Sequence, residues 1–233
     1  SDQSFTAPLN WIYAPNYQAG DLLPYAFVNT IKRLGGYTLP ALEPDIPIKV
    51  PYRTVRFEGS TSAAIVIYAP EKGCLRVLDS VYANARTYNR ESDFLTDAIF
   101  LSDPSRILTE AESATVPASL FGKEPVHEWC YYSTKAELAR QRGDWDEVVR
   151  LADEAKSQGY TPVDAFEWLP FIEGYIYTEN LDRAEELSQI AIKKEPRLRK
   201  GLCQLWGRVE ANIHHPEGQK LAQRIQNELS CSP

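Results

Sequence analysis

Residues 168–196 read WLPFIEGYIYTENLDRAEELSQIAIKKEP, and this stretch decides the fold. Trp168, Phe171, Ile172 and Tyr175 keep the spacing of one helix face, Ala184 and Ala191 mark a second helix, and Pro196 closes the unit. About 36 residues upstream a fainter copy recurs. There Tyr132, Ala136 and Ala139 stand on the first helix and Val148, Ala152 and Ala155 on the second. Gly143-Asp144 stops one helix and caps the next in two residues. Helix pairs of this kind cannot bury their apolar sides singly and must stack.

Working outward, the pattern predicts six helices, at about 127–142, 145–158, 163–178, 181–194, 198–212 and 217–229. The last pair carries Gly218, which costs helix stability, as expected of an atypical terminal repeat. Upstream of the repeats, alternation over Tyr52–Glu58, a β-branched run over Ala63–Ala69 and a third segment over Cys74–Leu78 predict a three-stranded antiparallel meander. Helices over 21–35, capped by Asp21, and over Asp93–Leu101 are expected to cover it. Residues 1–20 read as an extended arm, and the prolines at 40, 44, 47 and 51 as a stiff connector. The predicted class is therefore α+β: a small α+β domain over 1–108, a connector over 109–126 and an all-α domain of three helix pairs over 127–233.

The 233 residues carry a formal charge of −7 and 43% hydrophobic residues. That content suffices for a core, whereas the charge and a pI near 5.1 argue against sequence-independent binding of nucleic acid. The densest cationic run, Lys193 to Lys200, is broken by Glu195 and Pro196. No apolar run approaches the ~20 residues of a membrane helix, so no direct membrane insertion of this fragment is expected. With no methionine and Ser1 first, the chain reads as a piece of a longer protein. Cys74, Cys130, Cys203 and Cys231 form no C-x-x-C pair and read as buried small hydrophobes or free thiols, with disulfides open in an oxidising compartment.

The spacing in residues 168–196 resembles the tetratricopeptide repeat, W-x2-L-G-x2-Y with later Ala, Ala and Pro. That resemblance implies an α-α superhelix whose inner groove is lined by the first helix of each pair. Carried onto this chain, the groove positions are Cys130, Ser133, Glu137 and Arg140, then Phe166, Leu169, Glu173 and Ile176, with Lys200, Cys203, Gly207 and Glu210 from a third copy. The implied occupant is a protein or peptide, a basic helix for instance, or the chain's own N-terminal module. Segments such as Pro125–Tyr132, Lys135–Gln141, Leu169–Tyr175 and Gly73–Asp79 further resemble the C-terminal soluble region of uncharacterised bacterial multi-spanning membrane proteins, some of them glycosyltransferase-like. That likeness implies a membrane-tethered, extracytoplasmic piece without catalytic residues of its own. The first functional expectation is thus a non-catalytic interaction scaffold. The alternative is an accessory domain presenting sugar or lipid-linked substrate to a membrane glycosyltransferase, and a free-standing cytoplasmic adaptor is a third.

Other residues are weaker signals. Lys135 replaces an apolar repeat position and is expected to pair with Glu173 or Glu128. Trp129, Tyr131, Tyr132, Trp168, Tyr175 and Tyr177 read as interlocking core, with a stacking surface as the alternative. His214-His215 and His127-x-x-Cys130 lack further ligands, so no metal is expected. Glu110 and Glu112 sit in the connector without a reason for perturbed acidity. No P-loop, G-x-S-x-G or dinucleotide fingerprint appears, so no cofactor and no catalytic residue is expected.

Overall fold

Ser1 accepts the amide of Ser4 and so starts a helix, α1 (Asp2–Tyr13), where an extended arm was expected. The structure is a computed structural model, and it describes residues 1–17, 20–82, 93–108 and 116–231. The chain divides into two compact units, residues 1–66 with 92–125 and residues 67–91 with 126–233.

In the first unit α1 turns a polar strip against the next segment. Asn10 Nδ2 donates to the carbonyl of Tyr25 at 2.9 Å, Asn10 Oδ1 accepts its amide, and Thr6 Oγ1 accepts the amide of Phe27 at 3.1 Å. These bonds hold Tyr25–Phe27 outside any helix, and Pro24 disfavours helical backbone just before it. The helix expected over 21–35 therefore shrinks to α2 (Thr30–Arg33), capped by Asn29 instead of Asp21. Asp21 pairs with Arg56, while the buried Asp2 carboxylate receives Arg33 at 2.6 Å.

Strands β1 (Pro47–Tyr52) and β2 (Val55–Ser60) form an antiparallel ladder from Pro47↔Ser60 to Tyr52↔Val55. The prolines expected to forbid structure fit this strand. Arg56 turns its own amide and carbonyl away from β1, toward Asp21 and Leu23, so its partner Pro51 faces a position that asks for no N–H. After β2 the hydroxyls take over. Thr61 Oγ1 donates to the Glu43 carbonyl and accepts the Ile46 amide, Ser60 caps a 3-10 turn at Thr61–Ala63, and the expected central strand is lost. Of it only β3 (Ile67–Tyr68) remains, paired with β4 (Arg76–Val77) in the second unit. The described strands thus make two two-stranded ladders and not a meander. Helix α3 (Asp93–Leu101) stands where expected, with Leu95, Ala98, Ile99 and Leu101 buried. A single turn, α4 (Ala118–Phe121), ends at Gly122, and Glu110 and Glu112 lie outside the described residues.

The second unit holds helices α5 (Trp129–Gln141), α6 (Trp145–Ser157), α7 (Leu169–Tyr177), α8 (Leu181–Lys194), α9 (Arg199–Asn212) and α10 (Pro216–Glu228). All six expected helices are present; α7 starts late because Pro170 lacks an amide, and a 3-10 turn at Ala165–Trp168 leads into it. Gly143, at φ 71°, and the Asp144 cap on Glu147 make the turn between α5 and α6. The core runs through Tyr132, Leu151, Phe171, Tyr175, Leu187, Leu205 and Trp206. Alanines at 136, 155, 184 and 191, all fully buried, let the helices approach closely. At Gly174 an added Cβ would stand 2.5 Å from Val148 Cγ1, so α6 and α7 touch backbone to side chain there.

All four cysteines are paired, which corrects their reading as free thiols. Cys74–Cys130 joins the β3–β4 hairpin to α5, and Cys203–Cys231 ties α9 to the residue beyond α10. Their Cα separations, 5.1 and 5.6 Å, suit bridging.

The Tyr175 hydroxyl donates to Asp153 Oδ1 at 2.6 Å, and burial, then that carboxylate, push its pKa up to about 12. The folded state thus keeps a proton that the unfolded chain loses near 10. Its contribution is complete below pH 10 and fades as pH rises from about 10 to 12. Replacing Tyr175 with Phe should flatten that alkaline fall in urea titrations. An unchanged slope would show that the hydroxyl is not held in this way.

Candidate inner-face site

Glu137, Glu173 and Arg208 occupy one position on α5, α7 and α9, 36 and then 35 residues apart. Their ion pairs, through Arg140, join them in one row. Glu173 is 1% exposed and accepts Arg208 in a fork, Nε to Oε1 at 3.0 Å and Nη2 to Oε2 at 2.8 Å. Arg140, also buried, reaches Glu173 at 3.5 Å and pairs with Glu137. Among the described residues two carboxylates and two guanidiniums therefore sit together with balanced charge, the arrangement that makes burial of each tolerable.

A strap of residues 74–82, which precedes α5 in sequence, reaches this row with Tyr82. Tyr82 places its ring under both guanidiniums, 4.4 Å from Arg140 Cζ and 5.0 Å from Arg208 Cζ, and donates its hydroxyl to the Arg140 carbonyl at 3.1 Å. Burial, then the Glu173 charge, raises the Tyr82 pKa against the pull of the two arginines. The same two causes raise that of Tyr177, which stacks on Trp145 at 4.3 Å.

The strap's other end is held by Glu167, itself 1% exposed. Its two oxygens accept the Cys74 amide at 2.7 Å and Trp129 Nε1 at 2.6 Å. Gly73, at φ 100°, leaves room for this, because a Cβ there would fall 2.5 Å from Glu167 Oε1. Arg76 adds a bond to Asp164 at 3.2 Å and lies over Phe166, and Gln141 donates to the Val77 carbonyl.

The structure places the sequence-predicted groove residues unevenly. Ser133, Leu169 and Ile176 are buried, Arg140 and Glu173 are engaged in the ion row, and Glu137 and Phe166 keep part of their surface. Arg208 and Tyr82 were missed. Arg208 was within reach, since counting 35 residues on from Glu173 lands on it instead of on the neighbouring Gly207. For Tyr82 there was no signal, because nothing in its own segment marks what it packs on.

Two further expectations change. The Lys135 amine forms no ion pair among the described residues; it lies 4.9 Å from the Tyr131 ring centroid, one turn back on α5. Its expected partner Glu173 is already taken by two arginines. Of the aromatic cluster, Trp129, Tyr132 and Tyr175 are buried, and Trp129 meets Trp168 and Phe171 edge-on at 5.5 and 5.4 Å. They belong to the core, not to a stacking surface. Among the described residues no group of three or more His, Cys, Asp or Glu is placed to hold a metal, and no helix is long and apolar enough to cross a membrane. No family model matches this chain, and no curated protein and no solved structure matches it.

Proposed function

We propose that this chain is a non-catalytic protein–protein interaction module of the tetratricopeptide kind, the extracytoplasmic part of a larger bacterial membrane protein. The observation that carries the reading is which helices meet. Besides the consecutive pairs α5–α6, α6–α7, α7–α8 and α9–α10, α5 packs on α7, α7 on α9, and α8 on α10. Alternate helices in contact are what a stack with an inner and an outer layer requires, and such stacks work by presenting the inner layer. The inner layer here is the row of α5, α7 and α9 that carries the charged residues. Two disulfides support an oxidising compartment, and so the outer face of a membrane over the cytoplasm. A recognition surface with Glu137 at its accessible edge favours a partner segment bearing cations.

The test compares two charge reversals in the whole chain, Glu137→Lys on the inner layer and Arg150→Glu on α6, whose side chain is 57% exposed and paired within its own helix. A cationic peptide series should lose about tenfold in affinity with the first and change little with the second, the size expected for one rim charge. Equal losses, or none, would count against inner-face binding.

A further inference from the structure

The inner row is already occupied by part of the same chain, and the form of that occupation describes a ligand. From β4 to Tyr82 the strap runs past α5, gives up a backbone carbonyl at Val77 to Gln141 and sets a tyrosine ring under two guanidiniums. A backbone bond and an aromatic anchor are features by which a groove reads an extended peptide. We infer that residues 75–82 act as an internal ligand, that the row of Arg140, Glu173 and Arg208 is a site for extended segments presenting a tyrosine, and that Cys74–Cys130 is the lock that keeps such segments off that row while the Glu137 edge stays open. This rests on the interaction-module reading and names the partner class and the control of the same site.

The lock is asymmetric. Cys130 is exposed, whereas Cys74 is 2% exposed beside the Glu167 anchor. An external dithiol therefore meets the Cys130 sulfur first. Its thiolate attacks there, a mixed disulfide forms on Cys130, and Cys74 leaves as a thiolate that takes up a proton. The second thiol of the reagent then displaces Cys130, so the reagent ends as a disulfide and the protein gains two thiols. The other pair, Cys203 and Cys231, is only partly exposed at both ends and closes the last two helices on each other, away from the strap. With the lock open, the strap is held by noncovalent contacts alone and no longer at the effective concentration that a covalent tie imposes.

The experiment uses the full chain in three forms: unaltered, Cys74→Ser with Cys130→Ser, and Cys203→Ser with Cys231→Ser as the control for losing a disulfide elsewhere. Backbone hydrogen exchange is followed over residues 74–82 and over α5 to α9, and a labelled synthetic peptide LRVLDSVY, the sequence of residues 75–82, is titrated by fluorescence anisotropy. Opening the first pair should speed exchange of 74–82 by about tenfold or more while α7 and α9 stay protected. It should also admit the peptide, whose binding falls when its tyrosine is replaced by alanine. Unaltered chain and control should exclude the peptide. Unchanged exchange in the opened form, or equal peptide binding in all three, would overturn the lock while leaving the module reading in place. A strap that opens without any peptide binding would overturn the tyrosine site, whereas the module reading falls only with the Glu137 comparison.

Discussion

Replacing Glu173 with alanine should lower the stability of the second unit by about 3–5 kcal/mol, the usual cost of leaving one partner of a buried ion pair behind. Two guanidiniums lose their shared acceptor at once. Arg208 gives up a two-bond fork, Arg140 keeps Glu137, and both still face the Tyr82 ring. Neither arginine has a ready route to water, since Arg208 is 22% exposed and Arg140 6% at the side chain. A midpoint shift on the order of 10 °C is expected in thermal melts. Glu173→Gln should lose less, because the shape and one acceptor survive, and Glu173→Leu combined with Arg208→Met should recover part of the loss, since it removes charge and counter-charge together. A fall of under about 1 kcal/mol for the alanine variant would mean that the row is solvated and that its burial has no energetic consequence.

Removing the Cys203–Cys231 bridge should cost about 3.5 kcal/mol by the chain-entropy relation. The bridge closes a loop of 28 residues' separation around the α9–α10 turn, and without it the last helix keeps the packing of Leu221, Ala222 and Ile225, the Arg224–Glu185 fork and the Gln223 and Gln226 bonds to Glu210. Terminal layers of a stack have a neighbour on one side only, so they fray first. The loss should therefore appear as early hydrogen exchange in α10, before α7 or α5 responds. Simultaneous exchange of all six helices would instead mark the unit as one cooperative block.

How much of the fold was legible in the sequence depends on how local each decision is. Helices α5 to α10 were readable because their apolar residues repeat with the helical period and their turns carry Gly143-Asp144 and Pro196 in place. Apart from α3, most of the first unit was not, because distant polar groups settle it. Nothing in Tyr25–Phe27 announces that Thr6 and Asn10 will take its backbone bonds, and nothing in Ala63–Ala69 announces that Thr61 will be spent on Glu43 and Ile46. The cysteine pairing was closed to spacing arguments for the same reason, since four cysteines allow three pairings. At the site, Glu137, Arg140 and Glu173 were found by position within the repeat, but their burial was not, because the cover comes from a segment that lies far from them in sequence. Gly218 was read as a weakness in α10. The structure gives it a use: a Cβ there would run into His215 Cε1, whose ring caps that helix by accepting the Gly218 amide at 3.0 Å.

Gly174 sets the spacing of one joint. Where α6 and α7 meet, the hydrogen in place of a side chain admits Val148. A methyl added at that joint would push α7 off α6. The row shared by α5, α7 and α9 would then break in the middle, with Glu173 carried out of step with Arg140. The alignment of the charged row thus hangs on an atom that is not there.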